Sequence, residues 1–235
     1  MEVEGVFKRS WRLLTGNAII ILPGLLVAIG SGILTWLIVP PRGLGDTGPF
    51  VAPNLLADAL LFAISLSATF LSITYTTGMA NAAWERGRAT FADGATAFRR
   101  EGGHVLVALL IMIVLGFAAT ALAPFTLLLS LLGYTYFGIY TMASAVVGER
   151  TGFEAIAESA RTAYHRPTST ILMVFGLVVV VVLMGVLAAV LHGVPLVGPL
   201  VAQIVVQAVI AFLTLVVVGE YRIATAAAPT RSDTA

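Results

Sequence analysis

Long apolar runs alternate along this chain with short polar islands, and the island from Glu149 to Thr170 displays the scheme most clearly. Thr151 followed by Glu154 has the spacing of a capping box, in which hydroxyl and carboxylate satisfy backbone N–H groups of a helix's first turn. Beyond that start Phe153, Ile156, Ala157, Ala160 and Tyr164 gather on one side, while Glu154, Glu158, Arg161 and His165 gather beside them. Pro167 limits the helix, because the residue before a proline resists the α region. The pattern predicts an amphipathic helix of about three turns, lying in a membrane interface.

Two other stretches share this plan. Near the start, Phe7, Trp11 and Leu14 occupy one helical face, with Lys8, Arg12 and Thr15 on another. Thr90 and Asp93 offer a further capping box ahead of Phe91, Ala95 and Phe98, and Gly102-Gly103 is expected to end that helix. An apolar hairpin follows each, giving six expected spans: Ala18 to Val39, Leu55 to Gly78, Val105 to Ala123, Phe125 to Val147, Ile171 to Leu191 and Val197 to Gly219. The 43 uncharged residues Val105 to Val147 must fold back on themselves. A single helix of that length reaches about 65 Å, roughly twice the hydrocarbon core. Ala123-Pro124 is the expected turn and Gly133 its rival.

The hairpins end alike, in Trp84-Glu85-Arg86-Gly87, Gly148-Glu149-Arg150-Thr151 and Gly219-Glu220-Tyr221-Arg222. One all-α transmembrane domain is therefore expected over residues 1–225, with a degenerate threefold repeat at about 3–87, 88–150 and 151–225, and a disordered tail at 226–235.

Composition agrees with a polytopic membrane protein: 59% of the 235 residues are hydrophobic and 11% charged, with mean hydropathy +0.99. The N-terminal run after Lys8, Arg9 and Arg12 is too long for a signal peptide and lacks a small-residue cleavage site, so it is read as a retained span. Of the lysines and arginines, twelve fall on one side of the expected topology, and Arg42 alone on the other. The positive-inside rule then places both termini in the cytoplasm and the protein in the inner membrane. A net charge of +1 offers no basic patch for nucleic acid. With no cysteine there is no disulfide, thiolate nucleophile or Cys-ligated metal.

Candidate chemistry is sparse. Glu85, Glu149 and Glu220 stand at helix ends where acid opposes the macrodipole. Paired with Arg86, Arg150 and Arg222, or with Arg99 and Arg161, they would form a cytoplasmic charge collar. No span carries an ionisable group near its centre, which argues against a proton relay or voltage sensor. The neutral polar groups Ser65, Thr69, Ser72 and Thr76, with Gln203 and Gln207, either line a cavity or join helices. Tyr134, Tyr136, Tyr140, Trp36 and Trp84 read as packing and interface anchors. His104, His165 and His192 are too scattered for a metal site, and no nucleotide or cofactor motif is present.

The opening Phe7-Lys8-Arg9-Ser10-Trp11, the Gly87 to Phe98 segment, and Val147-Gly148-Glu149 leading to Glu154-Ala155-Ile156 and Ser159 resemble bacterial and archaeal integral membrane proteins related to the membrane domain of glycerophosphoryl diester phosphodiesterases. That resemblance implies a helical fold with interfacial helices and a connection to lipid, and it carries over no catalytic residue. A weaker resemblance, of Glu154-Ala155 and the following residues to the coupling loop of ATP-binding-cassette importer permeases, departs at Ile156 and Ala160. Three functions are thus expected in order: a scaffold or a binder of lipid or other apolar molecules, a transporter subunit driven by a separate ATPase, and a lipid-modifying enzyme using Glu85, Glu149, His104 and His165. The expected partners are membrane lipids, other membrane proteins or further copies of the chain.

Overall fold

The computed structural model describes residues 3–38, 55–191 and 197–226. Among them the chain forms nine α-helices, one 3-10 turn at Ala18–Ile21, and no strand. The helices are α1 (Val3–Gly16), α2 (Leu22–Ile38), α3 (Leu55–Arg86), α4 (Phe91–Leu122), α5 (Leu129–Gly138), α6 (Thr141–Val146), α7 (Gly152–His165), α8 (Pro167–Leu191) and α9 (Val197–Ala226). This is the expected all-α, polytopic membrane class. Four of the described helices, α3, α4, α8 and α9, have the length and apolarity to cross a bilayer. A fifth crossing is present if α1 and the start of α2, bent by 91° about Asn17, count as one broken span. Arg42, His192, the Pro40 to Asn54 loop and the tail beyond Ala226 lie outside the described residues, as does the Trp36 side chain.

Two expectations need correction. The helix that starts at Phe91 does not stop at Gly102-Gly103 but continues as α4, 32 residues long. Its capping box forms, with the Thr90 N–H donating to the Asp93 carboxylate at 2.8 Å. Interior glycines cost a helix about 1 kcal/mol each, yet packing on α3 outweighs them. Gly78 faces Ala97 and Gly94 faces the Tyr75 ring so closely that an added methyl group would overlap. Phe98 lies against Phe70 and Tyr75, with ring centroids 5.4 and 5.7 Å away. Small residues thus let two long helices approach as small-residue motifs do in membranes.

The expected span Phe125 to Val147 is not one helix. Residues 123–128 form the turn, at Pro124 as expected, while Gly133 lies inside α5. A second break separates α5 from α6. There Ser159 of α7 donates to the Phe137 carbonyl at 2.6 Å and accepts the Tyr140 N–H at 3.1 Å. The interruption is possible in apolar surroundings because a side chain from another helix satisfies the released backbone groups.

Burial is concentrated at the end of the bundle that carries the charges. There Trp84 of α3 is buried with its ring on Gly219 of α9, and its Nε1 donates to the Leu215 carbonyl at 2.7 Å. The Arg9 guanidinium of α1 lies 4.3 Å over the same ring and donates to the Trp84 carbonyl at 3.1 Å. Asn17, at the bend, donates to the Leu13 and Gly87 carbonyls and accepts the Ala89 N–H at 2.8 Å. Toward the far end the helices expose large side chains such as Phe62, Phe117 and Leu183. Trp84→Ala is expected to lower stability by about 3–5 kcal/mol, with Trp84→Phe milder, as read from thermal unfolding of the purified protein in detergent.

Candidate functional site

The exits of α3 and α9 and the start of α4 enclose a polar cleft of about 650 Å³. Arg222 donates to Asn81 and to Glu85, the latter at 2.6 Å. Across the cleft Arg86 pairs with Asp93, and Arg100 pairs with Glu149 at 2.9 Å. Of the residues expected to form a charge collar, only Glu85 and Arg222 pair with each other, and the rest take other partners or join none of these pairs. Glu149 has φ 53, beyond the end of α6, so its carboxylate turns to Arg100 rather than to Arg150 or Arg99. Arg99 and Arg150 are exposed and join none of these pairs. Arg161 pairs with Glu158 of its own helix at 2.8 Å. Such exposed pairs contribute roughly 0–1 kcal/mol each.

Glu220 departs from its presumed equivalents. It is 0% exposed, and Arg166 donates to its Oε2 at 3.0 Å. Around it Thr170 donates to the Arg166 carbonyl at 2.9 Å, and the Tyr140 hydroxyl meets the Thr170 hydroxyl at 3.2 Å. Tyr140 in turn hangs on Ser159 through its N–H. A buried polar network thus joins the α5–α6 break to α7, α8 and α9. The sequence reading omitted Arg166, Thr170 and Ser159 from the site. One signal for the pair was available: opposite charges close two neighbouring apolar runs, Arg166 just before Pro167 and Glu220 after Gly219.

Another carboxylate, Glu101, is buried beside the cleft, with Oε2 2.9 Å from His104 Nδ1. The contact lacks hydrogen-bond geometry, and neither atom has another hydrogen-bond partner. Of the residues proposed for lipid chemistry, Glu85 and Glu149 line one cleft, and Glu101, which His104 reaches, lines it too. His165 is exposed and stacks edge-on against Tyr164, apart from those residues. Among the described residues no group of three potential metal ligands occurs.

The neutral polar residues divide. Ser72 and Gln207 converge on Gly24, where a methyl group would overlap the Gln207 carboxamide and lie 3.3 Å from Ser72 Oγ. This crossing of α2, α3 and α9 is a helix-joining contact. Ser65 and Thr69 are exposed, the Thr69 hydroxyl donating to the Ser65 carbonyl at 2.8 Å. Thr76 is buried and Gln203 exposed. None of the six borders the apolar cleft of about 340 Å³ that lies between α3, α6, α8 and α9. Its walls are Ile73, Met142, Met173, Gly176 and Leu213, among others.

Helix α7 presents three sides. Gly152, Ala155, Ser159, Thr162 and Ala163 are buried against the bundle. At about 100° per residue, Phe153 and Tyr164 point away from that side and are 74% and 75% exposed. Glu154, Glu158, Arg161 and His165 form the third side. The expected apolar face is thus turned outward, and small residues seat the helix. Its capping box is incomplete: the Glu154 N–H bonds to the Thr151 carbonyl at 2.8 Å, and the two side chains only touch each other at 3.4 Å.

No family model matches the sequence, and neither a curated protein nor a solved structure shows significant similarity to it.

Breaking the buried pair from one side strands a charge. Arg166→Ala is expected to cost about 3–5 kcal/mol, whereas Arg166→Met combined with Glu220→Met should recover most of that loss. Unfolding temperatures of the two variants in detergent decide the point.

Proposed function

We propose that this protein is a non-enzymatic component of the inner membrane that holds the acyl chain of a lipid, or a similar apolar molecule, with both termini in the cytoplasm. The carrying observation is the apolar cleft between α3, α6, α8 and α9, lined almost wholly by aliphatic, aromatic and methionine side chains. Its volume of about 340 Å³ falls within the range of small-molecule pockets. Met142 and Met173 on its walls are side chains that adapt to irregular apolar shapes. The uneven distribution of lysine and arginine supports the orientation. The resemblance to phosphodiesterase membrane domains supports a relation to lipid without supplying catalytic groups.

A second reading, docking of another protein at the cytoplasmic face, is favoured by the water-facing row Glu154, Glu158 and Arg161, which with Arg150 lines a shallow groove. A nucleotide-binding partner that co-purifies with the chain and is lost on Glu154→Ala or Arg161→Ala would establish that reading.

Gly176 provides the direct test of the leading one. It lines the cleft, and a side chain there enters open space. Gly176→Phe is expected to reduce, by several-fold, the apolar molecules retained after gentle detergent extraction and measured by native mass spectrometry, at unchanged unfolding temperature. Equal retention in the variant and the parent would overturn the proposal.

A further inference from the structure

The tip of the α4–α5 hairpin differs from an ordinary surface turn in its chemistry. Phe125 and Leu127 are 84% and 86% exposed, and Leu122, Leu128 and Leu129 beside them are exposed as well. Leu127 and Leu128 have φ of 48° and 68°, the left-handed region in which turns in water favour glycine or asparagine. Leucine at both positions keeps the surface apolar despite the unfavourable backbone. Most N–H groups of the turn are meanwhile bonded within the hairpin. Pro124 has no N–H, and those of Ala123, Phe125, Thr126, Leu128 and Leu129 reach carbonyls of the hairpin at 3.0 to 3.2 Å. The only polar side chains, Thr126 and Ser130, are also engaged: Thr126 donates to the Leu122 carbonyl at 3.0 Å, and Ser130 donates to the Ala119 carbonyl at 2.7 Å.

We propose that this tip is a membrane-embedded turn, covered by the acyl chains of the far leaflet, and that the α4–α5 hairpin does not emerge into water. In hydrocarbon every backbone polar group must find its partner inside the protein, and irregular backbone is otherwise excluded. Five N–H groups and both hydroxyls of the turn meet that demand, and its exposed leucines and phenylalanine match the solvent. Depth agrees. From His104, the last ionisable side chain on α4, Val105–Leu122 extends about 27 Å, short of a hydrocarbon core of about 30 Å. The whole stretch from Val105 to Val147 carries no charge that would draw it to the far surface.

The absence of cysteine from the chain makes the test direct. Phe125→Cys and Leu128→Cys would be made singly in the full chain, with Arg88→Cys, exposed at the charged end, as the reference. A charged, membrane-impermeant maleimide applied to right-side-out and inverted vesicles is expected to label both tip positions at least roughly a hundredfold more slowly than position 88, since the reagent needs a thiolate and hydrocarbon suppresses its formation. A nitroxide attached at position 125 before reconstitution should collide with oxygen more often than with a water-soluble nickel chelate. Labelling from either side within a few-fold of the reference would show a water-exposed loop and overturn the proposal. Disulfide formation between Leu128→Cys chains, or a nitroxide shielded from oxygen as well, would show cover by a second copy or by protein, and would overturn it equally.

Discussion

The indole of Trp84 is the point on which the charged end of this bundle closes. It lies so close to Gly219 that no side chain fits there, and it donates to a carbonyl of α9 while Arg9 stacks over its ring. One residue of α3 thereby positions α1 and α9, the helices on either side of it. In a bilayer, apolar helices gain little from leaving lipid for one another, so close packing and interhelical hydrogen bonds must supply the association. Trp84 offers both. Asn17 completes the closure by fastening the sharp bend after α1 to the α3–α4 loop.

Buried and exposed charges at this end obey different physics despite a common motif. Glu85 and Glu149 pair in contact with water, where partners exchange at little cost, and the pairs rim the polar cleft. Glu220 is out of reach of water, and its charge is tolerable only while Arg166 remains in place. That requirement couples α8 to α9 and, through Thr170, Tyr140 and Ser159, to the break in the fourth apolar run. The repeated Glu at hairpin exits therefore marks position in the chain and not a shared role.

The class and the turn at Pro124 were legible because hydropathy and helical period depend on local sequence alone. The buried side of α7 was not, because Ala155, Ser159 and Ala163 are too small to signal burial by themselves, and the large Phe153 and Tyr164 drew attention to the opposite face. Gly102-Gly103 misled for a related reason. Glycine weakens a helix locally, but Gly102 lies beside Phe70 at the close α3–α4 contact. Within the site, Ser72 and Gln207 were identified as polar and inside the span, and only the fold brings both to Gly24. The partners Arg100 for Glu149 and Arg166 for Glu220 belong to elements far apart in sequence and required the packing to be known.

The two ways this chain interrupts a helix show how the surroundings dictate the solution. Between α5 and α6 the break is buried, and Ser159 from α7 supplies both a donor and an acceptor for the released backbone groups. At the hairpin tip the hydroxyls of Thr126 and Ser130 and most of the turn's N–H groups are bonded within the hairpin itself. A turn facing water needs neither device, since solvent completes its hydrogen bonds. Both interruptions are therefore built for places that water does not reach, one inside the protein and the other, by the same reasoning, inside the lipid.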